Sequence, residues 1–231
     1  MSKGFTFEKN LPHQKAGVDA LMSMFVGAEP QQSVDPIVRL RANPVLSITD
    51  PQYYANIKTV QEFNGIEHKR EHYNAKSNVI DISMETGTGK TYTYAKSMYD
   101  LNKAFGINKF IVIVPTLSIK AGTVNFLKSD ALKEHFRDDY ERELKTYVVE
   151  SQKSSSKNTK SFMPQAVHDF VEANNFNKKH IHVLIINSGM INSKSLVETY
   201  DTGLLDNKFD TPIDAISAVR PFIIIDEPHK F

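Results

Sequence analysis

Four short runs of aliphatic and β-branched residues constrain this chain more than anything else in it: Val79–Met84, Lys109–Val114, His180–Ile186 and Pro221–Asp226. Runs of this kind suit strands covered on both faces, as in parallel sheets, because both sides of each strand then meet apolar side chains. Thr146–Val149 is a weaker fifth candidate. Helical spacing fills the intervals. Lys90–Phe105 is closed by Gly106, Leu117–Leu127 and the charged Ala131–Leu144 follow, and Met163–Ala173 carries Pro164 near its first turn, where a missing N–H costs little. Strands alternating with helices predict an α/β fold built on a doubly wound, mainly parallel sheet with right-handed crossovers.

The 231 residues suffice for one large core, or for one domain with a lobe attached. We expect residues 79–231 to form the α/β domain. Residues 1–78 are then an amino-terminal segment packed on it, with 29–78, proline-containing and without a clear period, wrapping the sheet or forming an insertion. The Glu67–His72 cluster reads as a solvated face, and the polar, basic stretch Ser151–Lys160 as a surface loop or a phosphate-backbone contact. Cysteine is absent, which removes disulfides and thiolate metal clusters and fits a reducing cytosol; no zinc site is read. No apolar run is long enough to cross a bilayer, and the first residues do not read as a signal peptide. A formal net charge of +1 lacks the basic excess of a strong nucleic-acid binder. Any such contact is local, or shared with segments outside this chain.

Chemistry concentrates in two places. Glu85-Thr86-Gly87-Thr88-Gly89-Lys90-Thr91 lies between a predicted strand and a predicted helix, the setting of a P-loop. Glycines let the backbone turn tightly and bring its N–H groups against phosphate oxygens, and the positive end of the following helix adds to the anion site. Lys90 is placed to reach the β- and γ-phosphates of ATP, and the Thr91 hydroxyl to ligate Mg2+. The general pattern has glycine where this chain has Met84. The bland alternative is a glycine-rich strand–helix turn with an exposed lysine. The second place is the run Phe222–Ile225, which ends in the adjacent carboxylates Asp226 and Glu227. Neighbouring side chains at a strand end point apart, so the pair can divide two jobs. Asp226 would hold magnesium and Glu227 would orient and deprotonate a water; the alternative is an acidic helix cap.

With these motifs in place the sequence resembles superfamily 2 helicases, in motif I (Met84–Thr91) and motif II (Asp226-Glu227-Pro228-His229). The proline in motif II and the opening stretch Gly4–Lys15 resemble the restriction (Res) subunits of type III restriction–modification enzymes, and the likeness runs from Phe5 to Phe231. The resemblance implies a RecA-like first motor domain of an ATP-dependent DNA translocase, with ATP and Mg2+ as cofactors. It implies that Gln14 reads adenine, where the alternative is a surface helix residue. It also implies that Pro115-Thr116 and Asn187-Ser188 contact a nucleic-acid backbone, and that His229 links the nucleotide site to nucleic-acid-binding parts. For Thr116 a plain helix cap, and for Asn187 a helix-start turn, are equal alternatives. The family further implies double-stranded DNA and a modification methyltransferase subunit as partners, a second motor domain with an arginine finger, and a nuclease domain of the same polypeptide. We therefore expect an amino-terminal fragment of a cytoplasmic bacterial or phage enzyme, weakly active or inactive alone. Rival readings are another superfamily 2 helicase, a type I restriction subunit, or a non-catalytic nucleotide-binding module.

Overall fold

The computed structural model describes residues 7–9, 11–68, 79–150, 163–176, 178–199 and 209–230. From the amino terminus come α1 (Pro12–Ser23), β1 (Glu29–Gln31), α2 (Pro36–Arg41), β2 (Val45–Ser47), α3 (Asp50–Phe63) and α4 (Lys90–Phe105). They are followed by β3 (Lys109–Val114), α5 (Leu117–Lys128), α6 (Asp130–Tyr140), β4 (Glu143–Val148) and α7 (Gln165–Glu172). Last come β5 (His180–Asn187), α8 (Ser188–Ile191), α9 (Lys194–Val197), α10 (Pro212–Ala218) and β6 (Phe222–Ile225). The chain divides into two compact units. One draws its described residues from 8–31 and 45–106, the other from Phe7, 32–44 and the described residues after 106.

The second unit holds a four-stranded sheet in the order β4-β5-β3-β6, parallel throughout. Burial follows the sequence pattern: every residue from Ile181 to Ile186 is buried, and so is every residue of β3 except Ile113. Ile111, Leu184, Ile186 and Tyr147 face Val167 and Phe170 of α7, Leu196 of α9, and Ala215 and Ile216 of α10. The alternate residues Phe110, Val112, Val183 and Ile185 point to the opposite face, the one served by α5 and α6. Helices on both faces make the sheet doubly wound, as the alternation predicts.

Three expected boundaries move. Val79–Met84 forms no ladder with any described strand, and Val79 and Ile82 are exposed. β-Branched residues favour extended backbone, but a strand exists only where a neighbour supplies hydrogen bonds. The helix expected over Ala131–Leu144 ends at Tyr140, where Glu141 turns left-handed at φ 53°. Leu144 instead pairs with Ile181 across β4 and β5, the ladder winning over a helical spacing that reaches it from Leu132, Phe136 and Tyr140. Within 29–68, sequence without a clear period carries the antiparallel pair β1–β2 and the helices α2 and α3. Thr49 caps α3 by accepting from the Gln52 N–H, and Asp35 caps α2. The Ser151–Lys160 stretch lies outside the described residues.

A buried asparagine ties the sheet unit's early segment to its strands. Asn43, 1% exposed, accepts from the Asn108 and Lys109 N–H groups, each at 2.9 Å, through Oδ1. Its Nδ2 donates to the carbonyls of Lys109 at 2.7 Å and Arg220 at 2.9 Å. One side chain thus satisfies the backbone where β3 begins and just before β6. Beside it, the Lys109 ammonium is buried against the last turn of α7. It donates to the carbonyls of Phe170 and Val171 and lies 5.0 Å from the Phe170 ring centre. Burial pushes its pKa down to about 7, against the opposing pull of Glu172. His182, opposite Lys109 in the ladder, is held by Tyr147 Oη at 3.0 Å from Nδ1. Burial first, then the charge of Lys109 and of the neighbouring His180 and Lys145, pushes its pKa down to about 4.

Two predictions follow from these groups. Asn43→Ala orphans two N–H groups and removes a donor from two carbonyls, so it lowers unfolding stability by about 2–4 kcal/mol; denaturant titration measures this. His182 binds its proton more readily in the unfolded chain than in the folded one. Its contribution is therefore fully present above about pH 6.5 and is lost as pH falls towards about 4, with about 3 kcal/mol at stake. The rise in urea midpoint between pH 4 and 6.5 should flatten in His182→Leu, whatever that variant's absolute stability.

Candidate functional site

In the first unit, the phosphate-loop candidate is shaped by its glycines and by α1. Gly87 and Gly89 have φ of +83° and +86°, a region that L side chains rarely enter. Between them Thr88 closes a turn, donating from Oγ1 to the Glu85 carbonyl at 2.7 Å. Gly89 is the N-cap of α4 and offers no side-chain cap. The first N–H groups of a 16-residue helix are therefore left for a ligand, at the end where the helix dipole favours an anion. Lys90 and Thr91 open that helix half-buried, while Glu85, Thr86 and Gly87 are exposed. Below them α4 buries Tyr92, Thr93, Ala95, Met98 and Leu101, which anchors the loop to a rigid element.

α1 lies against this helix. Gly17 permits the approach, since a Cβ there would stand 3.2 Å from Thr93 Cγ2. Pro12 opens the helix, which places His13 and Gln14 in its first turn. Both reach one acceptor, the carbonyl oxygen of Thr88: His13 Nε2 at 2.9 Å and Gln14 Nε2 at 3.1 Å. Gln14 is buried, at 7% exposure, and its Oε1 has no partner among the described residues. A Cβ on Gly89 would fall 2.3 Å from Gln14 Nε2, so a side chain there would displace the Gln14 amide from its bond to Thr88 as well as strain the backbone at its positive φ. These features suit a nucleotide: free N–H groups for phosphate, an ammonium and a hydroxyl beside them, and an unpaired buried acceptor nearby.

The other candidates lie in the sheet unit, at the carboxyl end of the parallel strands, where open α/β sheets present their ligand-binding loops. The Asp226 N–H continues the ladder to the Ile113 carbonyl at 2.9 Å. Glu227 then turns the chain at φ 51°, costly for a residue with a Cβ. A 3-10 turn, Pro228–Lys230, follows and carries the exposed His229. The Glu227 carboxylate forms an ion pair with Lys230 Nζ. Asn187 and Ser188 bridge from β5 to the end of β3, donating to the carbonyls of Val114 and Pro115, each at 3.4 Å. The Asn187 Oδ1 also accepts from the Gly189 N–H at 3.1 Å, opening α8, and Thr116 Oγ1 accepts from the Ile119 N–H at 3.2 Å, capping α5. The structural alternatives for Thr116 and Asn187 are therefore realised here. Pro115, Thr116, Asn187, Ser188, Asp226 and Glu227 share one edge of the sheet.

Three residues at these sites carried no role in the sequence. His13 adjoins Gln14, and only the direction of α1 reveals that both converge on one carbonyl. Lys230 follows Glu227 at i+3, a spacing that meets only when the chain turns helically. Lys120 is buried in α5 and donates to the Val149 carbonyl. His68 and His72 stand at the i, i+4 spacing of a metal pair. Both ring nitrogens of His68 are engaged, by Gln61 and Tyr54, and His72 lies outside the described residues. No group of three His, Cys, Asp or Glu side chains among the described residues could hold a metal. Nor is any described helix long and apolar enough to cross a membrane.

Motif sequence, parallel sheet and strand-end carboxylates together define one class of chain, and comparison gives it a family. The family model for the type III restriction enzyme Res subunit matches residues 46–231, and the chain belongs to that family. It is 76% identical over its whole length to the Res subunit of the type III restriction-modification enzyme EcoP15I of Escherichia coli. It is 74% identical to the EcoPI Res subunit of Escherichia phage P1. Over 96% of its length it is 33% identical to the StyLTI Res subunit of Salmonella typhimurium strain LT2. The chain spans about a quarter (24%) of the first two of these relatives.

Gly89→Ala tests the loop geometry directly. A Cβ forced into left-handed backbone and against Gln14 should lower the melting temperature and reduce stability by about 1–3 kcal/mol. Gly87→Ala, with open space around its Cβ position, should cost only the backbone term, so thermal unfolding of the two variants should separate them.

Proposed function

We infer that the chain binds ATP with magnesium and is the first motor domain of a DNA translocase, part of the restriction subunit of a type III restriction endonuclease. The observation that carries this reading is the phosphate loop, with two left-handed glycines leading into a long helix whose N-terminus has no side-chain cap. The backbone N–H groups of the loop from Thr86 to Thr91 hold the phosphate oxygens, except that of Thr88, which turns to the Glu85 carbonyl, and Lys90 adds charge at the β- and γ-phosphates. Thr91 by its hydroxyl on the loop, and Asp226 by its carboxylate at the sheet edge, are each residues that would hold magnesium. Bound magnesium would supply Lewis-acid neutralisation of phosphate charge. Glu227, which forms an ion pair with Lys230, orients the attacking water and accepts its proton. Gln14 reads the adenine edge, its amide offering both a donor and an acceptor. His229 passes the state of the nucleotide site to the DNA-binding parts.

For the whole protein the reading extends to double-stranded DNA as track, a modification methyltransferase as partner, and further motor and nuclease domains in the same polypeptide. Its setting is the bacterial cytoplasm, whether a bacterium or a phage encodes it. Thr116 and Asn187–Ser188 offer a backbone contact through main-chain N–H groups, since their side chains are occupied by capping and bridging; Pro115, which has no N–H, shapes the turn between them and the strand.

Two variants test the assignment. Lys90→Ala should abolish ATP binding in calorimetry with the far-UV spectrum unchanged; unaltered affinity would sink the phosphate-loop reading. In the full-length protein Glu227→Gln should keep ATP affinity within about threefold and lower hydrolysis by at least about a hundredfold, the scale of a lost general base. Hydrolysis at the wild-type rate would remove Glu227 from the chemistry, and absence of hydrolysis in the wild-type full-length protein would favour a non-catalytic nucleotide module over a motor.

A further inference from the structure

Two side chains of α1 converge on one carbonyl of the phosphate loop, and they are not equivalent. A carbonyl oxygen can only accept, so His13 carries its proton on Nε2 and both His13 and Gln14 donate. Two lone pairs let the bonds coexist. Gln14, however, is buried with an unpartnered Oε1, a cost that a ligand donor would relieve. His13 is exposed and meets the loop from the outside.

The Thr88 carbonyl matters because it shares a peptide plane with the Gly89 N–H. In a trans peptide the C=O and N–H point in opposite directions. Whatever fixes the Thr88 oxygen toward α1 therefore aims the Gly89 N–H the other way. Thr88 is braced on its other side by Oγ1 on the Glu85 carbonyl. The two left-handed glycines around it supply no side-chain resistance to rotation, and so a hydrogen bond must set the plane.

We propose that His13 is a positioning residue of the phosphate loop. Its bond to the Thr88 carbonyl keeps the Gly89 N–H aimed at phosphate while the Gln14 amide exchanges its own bond for one to the ligand. This rests on the reading of the loop as an ATP site, which it deepens: α1 grips the loop with one residue and reads the base with the next. The predicted signature is a split between ligands. Loss of His13 weakens every ligand that uses the loop, whereas loss of Gln14 weakens only those with a base.

The experiment compares wild type, His13→Ala, His13→Gln and Gln14→Ala in the chain as it stands. Hydrogen exchange reads the segment 85–94, and calorimetry reads ATP and inorganic tripolyphosphate. His13→Ala should raise exchange severalfold at Thr88 and Thr93, the amides whose bonds to the Glu85 and Gly89 carbonyls depend on the loop holding its shape, and weaken both ligands by a common factor of about five, the scale of one hydrogen bond. His13→Gln, which keeps a donor, should recover most of both effects. Gln14→Ala should weaken ATP and leave tripolyphosphate within about twofold. Unchanged exchange in His13→Ala overturns the proposal. So does a loss of ATP affinity with tripolyphosphate affinity intact, which would make His13 a base contact. If wild type binds neither ligand, the ATP reading falls, while the exchange comparison still decides whether His13 holds the loop.

Discussion

The pairing of β3 with neighbours on both sides is the constraint on which the sheet unit depends. Its register sets Val114 opposite Asn187 on one side and Ile113 opposite Ile225 on the other. Because all strands run the same way, the three chain turns that follow them emerge at one edge. Pro115–Thr116, Asn187–Ser188 and Asp226–Glu227 are neighbours for that reason alone. A slip of one residue would exchange the two faces of β3, sending Ile111 away from Phe170 and Phe110 into its place. The near-continuous apolar sequence tolerates burial on either face, so the polar residues at the strand ends must fix the choice. Asn43 does this at the amino-terminal end, satisfying the backbone at Asn108, Lys109 and Arg220 together.

The phosphate-loop unit solves a different problem. Its loop has to adopt left-handed backbone and expose N–H groups, both of which raise the free energy of the empty state. α4 offsets this with a buried face four turns long, and α1 contributes side-chain donors at the Thr88 carbonyl. Rigid helices thus support a loop that has little internal hydrogen bonding of its own. The same division appears at Glu227, where a left-handed residue is flanked by a ladder bond at Asp226 and an ion pair to Lys230.

Sequence alone conveyed the fold where a local signal and a tertiary partner agree. β3, β5 and β6 are apolar enough to be strands only if buried, and Gly106 ends α4 where the periodicity stops. It misplaced Val79–Met84, because propensity records what a backbone prefers and not whether a neighbouring strand is available. It misplaced Leu144, because a helical spacing ran past the point where ladder pairing takes over. Of the candidate residues, Gly87 and Gly89 were legible as the pivots of a tight loop, and Lys90 and the Asp226–Glu227 pair as candidates for chemistry, because each signal is local to its own motif. His13 was not: its significance lies in a bond 75 residues away in sequence, and a histidine in a first helical turn carries no mark of that. Asn43 was illegible for the same reason, since nothing near it in sequence announces four backbone partners.

The Asn43 clamp has a consequence for how the chain is made. Arg220 lies 177 residues downstream, so during synthesis the clamp stays half-formed until nearly all of the sequence in hand has emerged. The residues around Asn43 are separated from the rest of their unit by the segment 45–106, which folds into the other one. Closing so long a loop carries an entropic cost before any contact compensates it. The phosphate-loop unit, whose residues all lie before 107, has no such wait. The order of assembly is thereby written into the threading: the glycine loop and its helices can take shape first, and the sheet edge bearing the carboxylates follows.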